Sequence, residues 1–244
     1  PGPRPAPRHS MDRFSGLAAC TVVSKNHVAY ARVVCESFLR HHPGARFFVL
    51  LADRNEGEIV PAQERFELIE LERLPIPDLP RFCFQYGILE LNCAGKPYML
   101  KHVLGLPGIS TVLYLDSDTF VYRELSEVLE LLERHSIVLT PHLIADVDDD
   151  GTRPGERHVL DSGIYNAGFM GLRNDATVER FIAWWSRRCY DKCIDDVRQG
   201  LFVDQAGLLL ARHAPIITSK PGTMIAAQMI FSRFCLTQGM LPNT

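Results

Sequence analysis

What the chain lacks excludes several broad classes at once. A membrane span needs roughly 18 or more consecutive apolar residues, and the apolar runs here, Phe47–Leu51 among them, stop at a fraction of that length. No excess of basic charge is present: 26 Lys and Arg stand against 29 Asp and Glu, a formal net charge of −3. Nucleic acid therefore meets no attracting field, and no basic stripe interleaved with aromatics appears. The start of the chain lacks the apolar segment of a secretory signal, so a cytoplasmic location is the expectation. The seven cysteines (Cys20, Cys35, Cys83, Cys93, Cys189, Cys193, Cys235) contain no Cys-x-x-Cys pair. Cys189 and Cys193 come closest to ligand spacing, but no second pair of Cys or His follows at a zinc-site interval. Reduced thiols, mostly in the core, are expected. Neither a Gly-x-Gly-x-x-Gly turn nor a Walker element occurs, which argues against dehydrogenase and P-loop readings.

What is there is a globular chain of 244 residues, 46% hydrophobic, long enough to bury a full core. Residues 1–16 are expected to be a disordered extension, since Pro1–Ser10 holds four prolines and three basic residues. Leu17–Val23 reads as the first strand. Asn26 is the expected N-cap of a helix from His27 to Arg40, ended by Pro43-Gly44, with a second strand at Phe47–Leu51. Strand, helix and strand at this spacing predict a βαβ unit and a parallel sheet. Phe66–Leu71 is a third strand candidate, and Phe82–Cys93 and Pro97–Leu104 read as two helices broken at Gly95. Leu125–Arg134 is amphipathic, and Ile137–Thr140 is a short strand. Between Pro141 and Val159 the chain turns polar. Asp146, Asp148 and Asp150 imitate half of a calcium loop, but Arg157 stands where a bidentate Glu is required, so they read as a solvated loop. Asp175 is placed to cap a helix through Trp184 and Trp185, whose spacing with Val178, Phe181 and Ile182 is that of core residues.

Chemistry concentrates at Thr111–Tyr122. Val112–Leu115 is an apolar run too short for a helix, followed at once by Asp116 and Asp118. A central strand of an α/β sheet is apolar on both faces, and ligands gather where it ends. In extended chain, residues two apart point the same way, so both carboxylates are expected to face one point in the crevice. Two such acids suit a hard divalent ion, Mg²⁺ or Mn²⁺, completed by water and substrate phosphates. An Asp-x-Asp after a strand is also ordinary turn chemistry.

Four pieces in order resemble the family-8-like GT-A glycosyltransferases, the group that includes the lipopolysaccharide galactosyltransferases and glycogenin. They are the strand and helix of Thr21–Ser37, Leu115-Asp116-Ser117-Asp118, Tyr165-Asn166-Ala167-Gly168, and Asp204-Gln205. The resemblance implies an α/β fold: a single GT-A domain over residues 17–218, its mostly parallel central sheet flanked by helices, with residues 219–244 as an atypical tail. It implies that Val22, Ser24 and Asn26 hold uridine and ribose, that Asp116 and Asp118 are the metal ligands with Asp116 also near the ribose, and that Asn166 lines the donor-sugar site. Asp204 and Gln205 resemble the catalytic pair beside the anomeric carbon. Lys96 or Lys101 is the candidate to neutralise the diphosphate, a solvated helix lysine being the alternative. The family's His-x-x-Gly metal element has no counterpart, and His213 follows Asp204-Gln205 too soon to replace it. The chain therefore looks incomplete at its C-terminus, where Ser219–Thr244 is expected to be a loosely packed helix or loop without a metal ligand.

The function so implied is metal-dependent transfer of a sugar from a nucleotide-diphosphate donor, with a UDP-sugar expected and retention favoured, to an unknown glycan, lipid or protein acceptor. No nucleic acid partner and no membrane span are expected. Two alternatives stay open. A sugar-phosphate nucleotidyltransferase would want a glycine-rich basic loop after the first strand, and Val22–His27 contains no glycine. A non-catalytic nucleotide-sugar-binding remnant fits the missing His.

Overall fold

The computed structural model describes residues 13–143, 159, 163–196, 201–205, 208 and 224–226. In chain order the elements are β1 (Leu17–Val23), α1 (Val28–His41), β2 (Arg46–Leu51), β3 (Glu67–Glu70), α2 (Leu79–Phe84), α3 (Ile88–Leu104), β4 (Thr111–Leu115), α4 (Ser126–Arg134), β5 (Ile137–Pro141), β6 (Tyr165–Arg173), α5 (Ala176–Cys189), β7 (Asp195–Asp196), β8 (Leu201–Phe202) and β9 (Met224–Ala226). The main sheet has the order β3-β2-β1-β4-β6-β5-β9, and β7 with β8 makes a separate two-stranded ribbon.

The sheet is mostly parallel. Pairs β1–β2, β2–β3, β1–β4 and β5–β9 run parallel, while β6 lies antiparallel between β4 and β5. Every residue of β1 is buried, because both faces of a central parallel strand are covered. Its alternating side chains enter two cores. Ala18, Cys20 and Val22 join the face covered by α3 and α5, with Phe82, Met99, Phe181 and Trp185. Leu17, Ala19 and Val23 join the opposite face, covered by α1 and α4, with Val34, Phe38, Val128 and Leu132. Burying a side chain such as Phe38, fully enclosed here, contributes about 1.5–3 kcal/mol. The six cysteines among the described residues are free thiols, all buried except the half-buried Cys83.

Local chemistry explains several element boundaries. The Asp175 carboxylate accepts from the amides of Thr177 and Val178 at 2.9 and 3.0 Å, the expected N-cap of α5. Asn26 does not cap α1: the helix starts one residue beyond His27 with no side-chain cap, and a 3₁₀ turn over Lys25–His27 precedes it. The Asn26 side chain is engaged instead by Ser24, whose hydroxyl donates to Asn26 Oδ1 at 2.8 Å.

The helices before β4 also differ from expectation. The break falls at Gln85–Gly87, and α3 runs unbroken through Gly95 and Pro97. Gly95 is there for clearance, not flexibility, since a Cβ at that position would stand 3.1 Å from Leu50 Cδ2. The break itself is tied down: Gly87 N–H donates to Glu90 Oε2 at 2.9 Å, and the Tyr86 hydroxyl donates to Cys189 O at 2.9 Å. The first bond closes the first turn of α3, and the second fastens the break to the end of α5.

Two more corrections concern the ends of strands. Beyond Leu115 the chain does not stay extended: Thr119 N–H donates to Asp116 O at 3.1 Å, so the Asp-x-Asp segment is a turn. Met224–Ala226, expected as helix or loop, is an edge strand paired in parallel with Ile137–Leu139. The acid-rich loop with Asp146, Asp148, Asp150 and Arg157, the residues 1–12, His213 and the rest of the C-terminal segment lie outside the described residues.

Candidate functional site

The strand order runs outward from β1 to β2 and β3 on one side, and from β4 to β6 and β5 on the other. Between β1 and β4 the direction of winding reverses. In an open α/β sheet that reversal leaves a crevice at the carboxyl edge, where backbone loops part and ligands bind. The loop Ser24–Asn26 leaves β1 at this edge, and Asp116–Asp118 leaves β4 beside it. Antiparallel β6 enters the sheet at the same edge through Asn166–Gly168, with Asp116 N–H donating to Gly168 O at 2.8 Å.

Lys96 projects into this edge from the middle of α3. Its side chain is only 7% exposed, and its ammonium lies 3.0 Å from Asp204 Oδ2 and 3.4 Å from Asp116 Oδ1. It also donates to Ala167 O at 3.4 Å and sits 4.8 Å from the centre of the Tyr114 ring. The contact with Asp204 is coulombic in geometry, for Oδ2 receives no well-directed hydrogen bond among the described residues. Burial works against the Lys96 charge, but Asp116 and Asp204 together outweigh it and hold the ammonium pKa well above its ordinary value. Burial pushes the Asp204 carboxyl up from the usual range, and Lys96 opposes that rise. Lys96 is thus the charge that makes a buried Asp204 tolerable.

Asp204 is held by its backbone. Val203, just before it, has φ of +39°, a left-handed conformation that costs a β-branched residue about 1–3 kcal/mol. The conformation persists because Val203 N–H donates to Ile194 O at 3.0 Å and the Trp185 indole donates to Asp204 O at 3.3 Å. Gln205 lies against Gly163, where φ is +110° and a Cβ would stand 3.3 Å from Gln205 Cβ.

The two carboxylates of the Asp-x-Asp turn differ in environment. Asp116 is half-buried, and its Oδ1 accepts from the Tyr114 hydroxyl at 2.8 Å as well as facing Lys96. That leaves Oδ2 for a ligand. Asp118 is exposed, and desolvation, with repulsion from Asp116, raises its carboxyl pKa. One oxygen from each would suit a hard divalent cation, which commonly takes one or two carboxylates and fills its shell with water and phosphate oxygens. The donor chemistry therefore fits Mg²⁺ or Mn²⁺, although no three His, Cys, Asp or Glu side chains gather at metal-holding range among the described residues.

The structure thus brings Lys96, Asp116 and Asp204 into contact and sets Asp118 beside them. Asn166 lies on β6 at the same edge, its Oδ1 accepting from Gly168 N–H at 2.6 Å. Ser24 and Asn26 are joined to each other. Val22 points instead into the core beneath that loop, 7% exposed. Lys101 is exposed, on the part of α3 that faces α5 and borders the groove with Asp175 and Glu179. Two residues are added by the structure. Tyr114 shares the strand face of Asp116 two residues on, a period-2 relation present in the sequence. Asn92 lies one helical turn from Lys96 and donates to Ser24 Oγ at 3.4 Å.

No family model matches the chain. It is 26% identical over 204 residues to the uncharacterized protein YfnF of Bacillus subtilis (strain 168), a match covering 78% of this chain and 64% of that protein. The chain thus spans less than two thirds of the length of this curated relative. Among solved structures it is similar to the galactosyltransferase LgtC in complex with donor and acceptor sugar analogues, at 17% identity and TM-score 0.46, covering 80% of this chain and 70% of that one. It is also similar to the glycosyltransferase GlyE of Streptococcus pneumoniae TIGR4, at 18% identity and TM-score 0.42, covering 78% and 42%. The bifunctional glycosyltransferase WbbM overlaps it at 15% identity and TM-score 0.48, over 80% and 37%. No helix among the described residues is long and apolar enough to cross a membrane.

Proposed function

We propose that this chain carries the donor site of a metal-dependent GT-A glycosyltransferase that moves a sugar from a nucleotide diphosphate, with uridine as the base, to a glycan, lipid or protein acceptor. The observation that supports this most is the meeting of Asp116, Lys96 and Asp204 at the carboxyl edge between β1 and β4. On this reading Ser24 and Asn26 border the nucleoside, Lys96 faces the diphosphate, and Asn166, Asp204 and Gln205 border the transferred sugar. Asp116 and Asp118 would hold Mn²⁺ or Mg²⁺, which supplies Lewis-acid stabilisation of the departing phosphate oxygen.

Transfer breaks the bond between the anomeric carbon and a diphosphate oxygen, and the electron pair leaves on oxygen. Lys96 faces that developing negative charge from a nearly dry position, where a fixed cation acts more strongly than in water. The carbon side becomes oxocarbenium-like, and an ionised carboxylate on one face stabilises it, as in glycosidases. Asp204 is the candidate, kept ionised by Lys96 and aimed by the Val203 backbone. Retention of configuration is the favoured outcome.

Calorimetric titration with a panel of nucleotide sugars, with and without Mn²⁺, tests the reading. The expected result is selective binding of one UDP-sugar that tightens with the metal. Absence of nucleotide diphosphate binding under both conditions would overturn it, and binding indifferent to metal would remove Asp116 and Asp118 as ligands.

A further inference from the structure

The mouth of the crevice contains a short chain of polar groups with one loose end. Ser24 is buried, and its hydroxyl proton goes to Asn26 Oδ1 at 2.8 Å. Having one proton only, the hydroxyl meets Asn92 as an acceptor, so the Asn92 amide turns its nitrogen toward Ser24, at 3.4 Å. This fixes Oδ1 on the other side. There it is shut off from water and has no partner among the described residues, although the Asn92 residue itself is half-buried and borders the crevice. A buried acceptor without a donor is a destabilising arrangement. Such an atom is an incentive for a ligand O–H or N–H to fill the gap.

The position along α3 says which part of a ligand. Asn92 and Lys96 are four residues apart on one helix face, about 6 Å along the axis. Lys96 marks the charged end by its contacts with Asp116 and Asp204, while Asn92 marks the Ser24–Asn26 end. The interval matches that between a nucleotide's sugar hydroxyls and its diphosphate, and falls short of that to its base.

We infer that Asn92 is a binding residue for the donor's ribose, its Oδ1 accepting a hydrogen bond from a ribose hydroxyl, which makes the site selective for ribonucleotides over deoxyribonucleotides. Binding completes the chain from hydroxyl to Asn92, Ser24 and Asn26, and it leaves the Asn26 amide nitrogen oriented for the rest of the nucleoside. This inference rests on the donor site proposed above.

The test compares UDP with 2′-deoxy-UDP and 3′-deoxy-UDP, titrated in the presence of Mn²⁺ into the parent chain and into Asn92→Ala and Asn92→Ser. One hydrogen bond to a buried acceptor corresponds to a five- to twentyfold preference, roughly 1–1.8 kcal/mol. The parent should bind one of the deoxy compounds that much more weakly than UDP, and both variants should bind all three alike. The ratio is internal to each protein, so partial unfolding lowers every affinity together and leaves it unchanged. A role limited to holding Ser24 would weaken all three ligands in the variants and preserve the parent's preference, which overturns the inference. A parent that does not discriminate also overturns it. Failure of UDP to bind the parent at all overturns the donor site and this assignment with it.

Discussion

Replacing Lys96 by Met should unmask the cost of burying Asp204. The Asp204 residue is 1% exposed and its Oδ2 lies 3.0 Å from the ammonium, whereas Asp116, 32% exposed by side chain, keeps access to water. The penalty of removing the cation therefore falls on Asp204. Breaking a buried pair by deleting one partner costs about 3–5 kcal/mol, and the lower end applies because Asp204 can take a proton instead. Its folded pKa already lies above the usual carboxylate value through burial, and loss of Lys96 raises it further. A raised folded pKa gives stability that is present at low pH and lost as pH rises through it. The Lys96→Met deficit should thus be about 3 kcal/mol near neutrality and shrink on acidification. Urea unfolding of the parent, Lys96→Met, Asp204→Leu and the double variant measures it. The double variant should recover most of the loss, because an apolar pair of similar volume replaces a buried ion pair at little cost. Single effects that simply add, or a Lys96→Met cost under about 1 kcal/mol, would show that water reaches the pair and that Lys96 does not hold Asp204 ionised.

Asp118→Asn keeps the shape of the exposed turn residue but removes the charge that holds a cation, so UDP binding should lose its dependence on Mn²⁺ while the melting temperature stays within a degree or two of the parent; unchanged Mn²⁺-dependent affinity would refute the assignment. His42 is enclosed between Phe14 and Phe38, with Nδ1 against Phe38 O at 2.9 Å and Nε2 accepting from Leu125 N–H at 3.0 Å, and burial lowers its pKa from the ordinary 6.5. Its contribution is therefore full above pH 6.5 and declines as pH falls from there through the lower folded value; denaturation midpoints should drop between about pH 7 and 5 in the parent more steeply than in His42→Gln, and equal slopes would show that the ring titrates freely.

Much of the sheet was legible because its central strands are buried on both faces. Leu17–Val23 and Val112–Leu115 are apolar at every position or nearly so, which a half-exposed strand is not. The cap at Asp175 was legible because its bonds are local, reaching only two and three residues ahead. Local reading failed where a distant surface decided. Gly95 and Pro97 look like a helix break, but Leu50 lies 3.1 Å from where a Gly95 Cβ would be, and the packed helix continues past both. The Asp-x-Asp was found as a pair and misjudged in geometry: a hydrogen-bonded turn, not extended chain, brings the carboxylates to one edge. Asn26 looked like a cap because it is a capping residue type just ahead of a helix, but its side-chain oxygen accepts from Ser24 instead.

Lys96 shows where the missing information lay. On the usual argument a helix lysine reaches solvent from the polar face, and the alternative reading of a solvated charge rested on that. But α3 has no polar face at this point: every residue from Cys93 to Leu100 is buried. A helix apolar all round is an internal helix, and an internal lysine stays charged only beside acids and hydrogen-bond acceptors. The sequence Cys-Ala-Gly-Lys-Pro-Tyr-Met-Leu already states the first half of that argument, a lone charge in a run with no wet side. It implies that carboxylates from elsewhere must converge on Lys96, and so that the run marks the floor of a site. Which carboxylates they are depends on how β4 and the turn after β8 meet α3 in space. That is a property of the sheet order, with α3 packed on the sheet face and Lys96 reaching the edge where the winding reverses, and no local pattern encodes it.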